Sequence, residues 1–248
     1  MIPARLGSTR LPRKPLRLLG GRALVVQVWE RLAGLGLADR CVIATDSEEV
    51  AAVARAAGAE CVMTSGAHPS GTDRVAEVAR RPEYARYEAI VNVQGDEPFV
   101  QRDAVAGAAG VVSSGRFPLG TAACPAPASA LAQPSIVKVV AADDGRAMYF
   151  SRAGIPFRRD DGDAAIADRL VRQHIGVYAY TREALLRWVS LPEHPLERAE
   201  RLEQLRPLAA GLAMGVAAVK EAPIGGIDTE EDLALASARW DDFRRAGG

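Results

Sequence analysis

Four cationic side chains, two hydroxyls, one glycine and three prolines crowd the run Ile2-Pro3-Ala4-Arg5-Leu6-Gly7-Ser8-Thr9-Arg10-Leu11-Pro12-Arg13-Lys14-Pro15-Leu16. Such a loop suits an anionic ligand. Glycine lets backbone amides approach phosphate oxygens, proline stiffens the turn, and Arg and Lys supply countercharge. It is not a G-x-x-x-x-G-K-[ST] loop, because the glycine pair and the Lys-Ser/Thr end are both missing. Only three of the 31 Lys+Arg residues are lysine (Lys14, Lys138, Lys220). A lysine kept inside this loop therefore suggests a need for a compact, mobile point charge.

Two further segments carry chemistry. Asn92-Val93-Gln94-Gly95-Asp96-Glu97-Pro98 follows an apolar run, and a carboxylate at a strand's carboxyl end suits Mg²⁺, which takes one or two carboxylates plus substrate phosphates. The same Gly-Asp pair also reads as an ordinary turn. Ala67-His68-Pro69-Ser70-Gly71-Thr72-Asp73-Arg74 is either a nucleoside-reading turn or a helix N-cap on Ser70 or Thr72.

The elements that must position these loops follow a βαβα rhythm. Helical periodicity runs over Ala23–Leu35, short buried-strand runs over Arg40–Ala44 and Cys61–Met63, and helix again over Thr72–Ala79. Thr45-Asp46-Ser47-Glu48-Glu49 opens a helix, with Asp46 assigned to capping. Ala89–Val93 is the clearest strand. The rhythm predicts an α/β, doubly wound, mostly parallel sheet. Thr121–Pro134 reads as a loop or linker. Ile136–Ala141 and Ala147–Ser151 flank an Asp143-Asp144-Gly145 turn, and Arg158–Asp163 reads as a solvated loop. Strands are expected at Ile175–Tyr180 and Val216–Val219, and helices at Arg182–Val189, Glu197–Leu208 and Glu230–Arg245. Four residues apart on a strand, His174 and Tyr178 share a face, as a pocket requires.

The chain's 248 residues carry 31 acidic against 31 basic side chains. No global field recruits nucleic acid or an anionic membrane, so any anion binding is local. The apolar runs are too short to span a bilayer, and with Met1 running straight into the loop no signal peptide is expected; either the true start lies upstream or the first strand is a stub. Cys41, Cys61 and Cys124, odd in number and in apolar surroundings, read as reduced thiols of a cytoplasmic protein. The absence of G-x-G-x-x-G after an early strand argues against a dinucleotide-dependent oxidoreductase.

Taken together the motifs resemble the 3-deoxy-manno-octulosonate (Kdo) cytidylyltransferase, or CMP-Kdo synthetase, family. The resemblance rests on the first loop, Ala44-Thr45-Asp46, Ser70-Gly71-Thr72-Asp73-Arg74 and Asn92–Pro98. It extends through Val137–Val140, Tyr149–Pro156, His174–Tyr178, Leu202–Arg206 and Gly226–Thr229, in family order from Ile2 to about Leu233. It implies a nucleotide-diphospho-sugar transferase-like fold, with a smaller α+β sugar-binding and dimerisation part inserted at about 121–215. The implied reaction is attack of the sugar's anomeric hydroxyl on the α-phosphorus of CTP, with pyrophosphate leaving.

By resemblance, Arg5, Lys14 and Asp96 are catalytic, and Asp96 with Asp228 binds Mg²⁺. Arg5, Ser8, Lys14, Ser70, Gly71, Arg74 and Gln94 bind nucleotide. Gln94, Arg152, His174, Tyr178, Glu203 and Gln204 line the acid-sugar pocket, with Arg152 as carboxylate clamp, and a homodimer is implied. Alternatives are another acid-sugar acceptor (sialic-acid-like or 8-amino-Kdo), a phosphonate acceptor, or a catalytically idle nucleotide-binding protein. The presence of Arg5, Lys14, Asp96 and Asp228 together argues against the last. Departures from the family pattern are Arg13 where many relatives have glycine, Gln173 where a basic residue is frequent, and an atypical Gly120–Ser135.

Overall fold

Ile2–Ala4, fully buried, forms strand β1 and pairs in parallel with β4 (Val42–Thr45), Pro3 opposite Ala44; β4 in turn pairs in parallel with β5 (Glu60–Met63). On the other side of β1 the Val93 amide donates to the Met1 carbonyl, so the end of β6 (Ala89–Val93) lies beside it. The computed structural model describes residues 1–157, 159–160 and 170–245, and the charged stretch read as a loop at 158–163 lies largely outside them. The chain divides into two compact units. The first comprises Met1–Tyr87, Asn92–Arg102 and Pro223–Gly248; the second comprises Glu88–Val91 and Asp103–Ala222.

In the first unit, helix α1 (Leu24–Gly34) follows a small hairpin, β2 (Leu18–Leu19) with β3 (Arg22–Ala23). It buries Val25, Val26 and Val28 against Ile2, Ile43, Val50 and Ala54. Helix α2 (Glu48–Ala56) is capped by Ser47, whose hydroxyl accepts from the Val50 amide. That corrects the assignment of Asp46 to capping: the next residue holds the cap, and the Asp46 carboxylate pairs instead with Arg74 at 3.1 Å. Helix α3 (Gly71–Ala79) has Ser70 as its N-cap. A separate cluster of Leu11, Leu19, Leu24, Phe99, Ile227 and Trp240 holds the start of the chain to helix α8 (Glu230–Arg245).

The second unit contains α4 (Arg102–Ser113, from its second residue) and strands β7 (Leu119–Pro125), β8 (Lys138–Ala141), β9 (Ala147–Ser151), β10 (Arg172–Thr181) and β11 (Met214–Ala218). These lie in the order β11-β7-β10-β8-β9, and β6 also pairs with β10. The β7–β11 pairing is parallel; the β7–β10, β10–β8 and β8–β9 pairings are antiparallel. Helices α5 (Arg182–Ser190), α6 (Pro195–Glu200) and α7 (Leu205–Ala209) complete it.

Two expectations are corrected here. The stretch from Thr121, read as a loop, is in its first part the buried strand β7. Ala122, Ala123 and Cys124 are buried in it, and Gly120 is small because its neighbour comes close: a Cβ there would lie 2.4 Å from the Ala108 carbonyl oxygen. The helix expected over Glu197–Leu208 is two short helices, interrupted where Arg201 takes a left-handed conformation (φ 53°, ψ 46°). Glu203 and Gln204 therefore sit in a turn and not on a charged helical face.

Candidate functional site

The loop after β1 leaves the sheet at Ala4 and returns through the 3₁₀ turn Lys14–Leu16. Arg13 precedes that turn with φ 57° and ψ 31°, the left-handed region in which a side chain is disfavoured and glycine is not. This explains why glycine suits the position, and the Arg13 guanidinium contacts Glu49 from there. Arg13→Gly removes a steric penalty of about 1–2 kcal/mol and regains chain entropy worth about 0.5–1 kcal/mol when unfolded. The variant is expected to melt at or slightly above wild type, whereas Arg13→Val melts lower; a thermal melt in the reverse order refutes the account.

Two loops converge on this one. Gly95, after β6, lies against β1 so closely that a Cβ would stand 2.9 Å from the Pro3 carbonyl oxygen. Only glycine fits there without backbone movement, and the approach delivers Asp96 to the first loop. The second loop, 226–228, is stitched to Asp96 by the Ile227 amide, which donates to the Asp96 carbonyl at 2.9 Å. Asp232 then fixes the backbone by accepting from the amides of Asp228 and Thr229, while the Thr229 hydroxyl accepts from the Asp232 amide. This reciprocal cap starts α8 and aims Asp228.

The result is a single cation between two carboxylates. Lys14 Nζ lies 2.5 Å from Asp96 and 2.7 Å from Asp228, and Arg10 reaches the other Asp228 oxygen at 2.9 Å. Desolvation pulls the Lys14 ammonium down, but the charges and hydrogen bonds of Asp96 and Asp228 outweigh it, so its pKa is raised. Desolvation pushes Asp228 up, and Lys14 and Arg10 outweigh it to hold the carboxyl below its usual range. Glu97 goes the other way: burial, then the charges of Asp96 and Asp228, push its carboxyl up to about 8.

Around this triad opens a cleft of about 340 Å³. Arg5, Ser8, Lys14, Ser70, Gly71, Arg74, Gln94, Asp96 and Asp228 all line it, so every residue expected in the nucleotide and metal sets falls in one place. Arg5 is exposed. Arg74 is 2% exposed, with its guanidinium donating to Thr64 and Asp46. Ser70 both caps α3 and donates to the Asp73 carboxylate at 2.7 Å. Arg10 and Glu97 were missed as site residues in the sequence reading. Arg10 was legible from its place in the cationic run; Glu97 had no signal, because its proximity to Asp228 depends on the fold.

The expected sugar-pocket residues other than Gln94 lie in the second unit. His174 and Tyr178 share a face of β10, ring centroids 5.5 Å apart, and Phe150 meets His174 edge-on at 4.9 Å. Burial lowers the His174 imidazole to about 3, so it is neutral at physiological pH. Burial, followed by Tyr180 and Glu203, raises the Tyr178 phenol, leaving it a neutral donor. Gln204 is 2% exposed, and its Nε2 has no partner among the described residues. Arg152 is spent largely on the backbone, donating to the carbonyls of Pro134, Glu200 and Arg201, while its own amide donates to the Glu200 carboxylate.

A family model described as cytidylyltransferase matches residues 1–216. The chain is 61% identical over 246 residues to the 3-deoxy-manno-octulosonate cytidylyltransferase of Gemmatimonas aurantiaca, covering 99% of this chain and 95% of that protein. The enzyme of the same description from Polynucleobacter necessarius is 44% identical over 235 residues, covering 94% and 91%. Among solved structures, CMP:2-keto-3-deoxy-manno-octonic acid synthetase complexed with CTP superposes with a TM-score of 0.88 at 36% identity, covering 97% of each chain. That likeness establishes the α/β nucleotidyltransferase-like fold. A 4-diphosphocytidyl-2C-methyl-D-erythritol synthase from Anaerococcus prevotii, at 13% identity and a TM-score of 0.59, shares the fold alone.

Proposed function

Because this chain belongs to the 3-deoxy-manno-octulosonate cytidylyltransferase family, we propose that it transfers CMP from CTP to the anomeric hydroxyl of Kdo. A bond forms between the anomeric oxygen and the α-phosphorus, the bond from that phosphorus to the pyrophosphate oxygen breaks, and pyrophosphate leaves. The observation that carries this reading is the Lys14 ammonium seated between Asp96 and Asp228 at the head of a cationic cleft.

Catalysis of such a step is positioning and charge stabilisation. The triphosphate enters the cleft of Arg5, Ser8 and Arg10. Lys14 exchanges its carboxylate partners for phosphate oxygens and neutralises the charge gathering on the departing pyrophosphate. Gln94, Ser70, Gly71 and Arg74 form the nucleoside end. Arg152, His174, Tyr178, Glu203 and Gln204 recognise the acceptor; Gln204's orphaned amide suits a substrate oxygen.

Asp96 and Asp228 are the proposed Mg²⁺ ligands. Among the described residues no cluster of three or more His, Cys, Asp or Glu is arranged to hold a metal. The two carboxylates nevertheless fit, since they already share one cation and Mg²⁺ completes its shell with substrate phosphates and water. Bound there, Mg²⁺ would supply Lewis-acid stabilisation of phosphate charge and lower the pKa of the attacking hydroxyl.

Two further readings complete the proposal. Cys41, Cys61 and Cys124 are all free, which supports a cytoplasmic protein; no described helix is long and apolar enough to cross a membrane. A homodimer is supported by Met148 and Leu196, 60% and 40% exposed on one apolar hollow of the second unit.

The test is pyrophosphate release from CTP with and without Kdo and Mg²⁺. Release that requires all three is expected. Thermal stabilisation by CTP without Kdo-dependent release overturns Kdo as acceptor and points to another acid sugar or a phosphonate.

A further inference from the structure

The face that carries His174 is interrupted by an irregularity. His174 stands opposite Ala123 and Ile175 opposite Ala122, but the next partner of Thr121 is Tyr178, so Gly176 and Val177 are extra. Two extra residues preserve the alternation, and His174 and Tyr178 stay on one face with Thr121. At the bulge the carbonyls of Ile175 and Val177 both lie within hydrogen-bond distance of the Thr121 hydroxyl, at 3.3 and 2.8 Å. The same oxygen lies 2.9 Å from His174 Nε2. Thr121 is fully buried, so its hydroxyl has no bulk water to turn to.

A hydroxyl has one proton and lone pairs to accept with. Carbonyl oxygens only accept, so the Thr121 proton goes to one of them, the nearer being Val177. Were it given to a bare Nε2 instead, both carbonyls would face the hydroxyl's lone pairs at hydrogen-bond distance with no proton between. The contact with His174 must then run the other way. We infer that Thr121 is a positioning residue that fixes His174 as the Nε2–H tautomer, leaving Nδ1 a bare acceptor for a donor on the acceptor substrate. Nδ1 has no partner among the described residues. The low imidazole pKa is consistent with the neutral ring. Beside it the neutral Tyr178 phenol can donate or accept, so it is the bare Nδ1 that gives this face an acceptor of fixed sense, which selects a donor hydroxyl on a bound sugar. The role in substrate recognition rests on the proposed function; the tautomer does not.

The experiment is a long-range ¹H–¹⁵N correlation spectrum of protein labelled at its three histidines, His68, His174 and His194, at neutral pH and without substrate, His174→Gln identifying the signal. A protonated Nε2 with unprotonated Nδ1 is expected. A protonated Nδ1, in either the other tautomer or the imidazolium, overturns the inference. Thr121→Val keeps the shape and removes the hydroxyl. It is expected to populate the Nδ1–H form and raise KM for Kdo by about tenfold, with KM for CTP within about twofold. Thr121→Ser is expected to restore the wild-type spectrum and KM. A Thr121→Val spectrum identical to wild type refutes the positioning role; if that variant does not fold, the wild-type and Thr121→Ser spectra decide. A spectrum of the inferred form in a protein that does not turn over Kdo upholds the tautomer and refutes the acceptor.

Discussion

Asp96→Asn is expected to leave a folded protein whose turnover falls by about three orders of magnitude, the size of effect seen when one pre-aimed charge-stabilising group is lost. The substitution keeps volume and planar shape, so Gly95 can still lie against Pro3 and the Ile227 amide can still reach the Asp96 main-chain carbonyl. What is lost is one of the two charges that share Lys14 Nζ. The proposed metal loses a ligand, and Lys14 keeps one of its two carboxylate partners, Asp228. Stability moves little, because two effects oppose. Lys14 loses a partner, but Glu97 loses one of the negative charges that hold its carboxyl up at about 8, so that site relaxes. Steady-state kinetics beside a thermal melt separate the two outcomes. Turnover within tenfold of wild type would remove Asp96 from the catalytic set, and a collapse of the melting temperature would reassign it to structure.

Much of this site was legible because it lies at strand ends marked by composition. Val42–Thr45 is a run of buried residues and Ala89–Val93 buries Ile90, Asn92 and Val93, and the loops that follow carry the polar residues. Helix α8 declared itself through acids in its first turn and arginines in its last. The strand β7 did not, because its residues are Leu, Gly, Thr, Ala, Ala, Cys and Pro. Close packing against α4 demands small side chains, and small side chains erase the period on which strand reading depends. With β7 unread, Thr121 was unreadable as a partner of His174, although its contacts decide how that ring can act. The break at Arg201 was hidden for another reason. A non-glycine residue in the left-handed region is set by its surroundings, and no local rule predicts it. The pairing of Asp46 with Arg74 and of Glu97 with Asp228's loop joins residues far apart in the chain, which only the fold brings together.

Lys138 shows the same limit and yields the second large effect. One of only three lysines, it falls in the Val137–Val140 motif of the resemblance with no role legible from the sequence. In the structure it is fully buried, and its ammonium donates to three backbone carbonyls: Gln133 at 2.9 Å, Ile136 at 2.6 Å and Arg152 at 2.6 Å. Desolvation lowers its pKa, so the charge itself costs something to bury; the gain lies in satisfying three acceptors at once. The cage ties the segment before β8 to the residue after β9, where the Ser151 hydroxyl and Arg152 amide both donate to the Glu200 carboxylate. Lys138→Met preserves length and bulk but orphans all three carbonyls. It is expected to cost ~2–4 kcal/mol of unfolding free energy, read from denaturant titration. Lys138→Gln, with two N–H donors for three acceptors, should recover part of the loss. The damage should also be uneven: because Arg152 sits in the proposed acceptor subsite, KM for Kdo rises while KM for CTP holds. A Met variant as stable as wild type would mean that the carbonyls find other partners and that the cage is incidental. A Gln variant no better than Met would show that the ammonium charge, and not the number of donors, holds the segment in place.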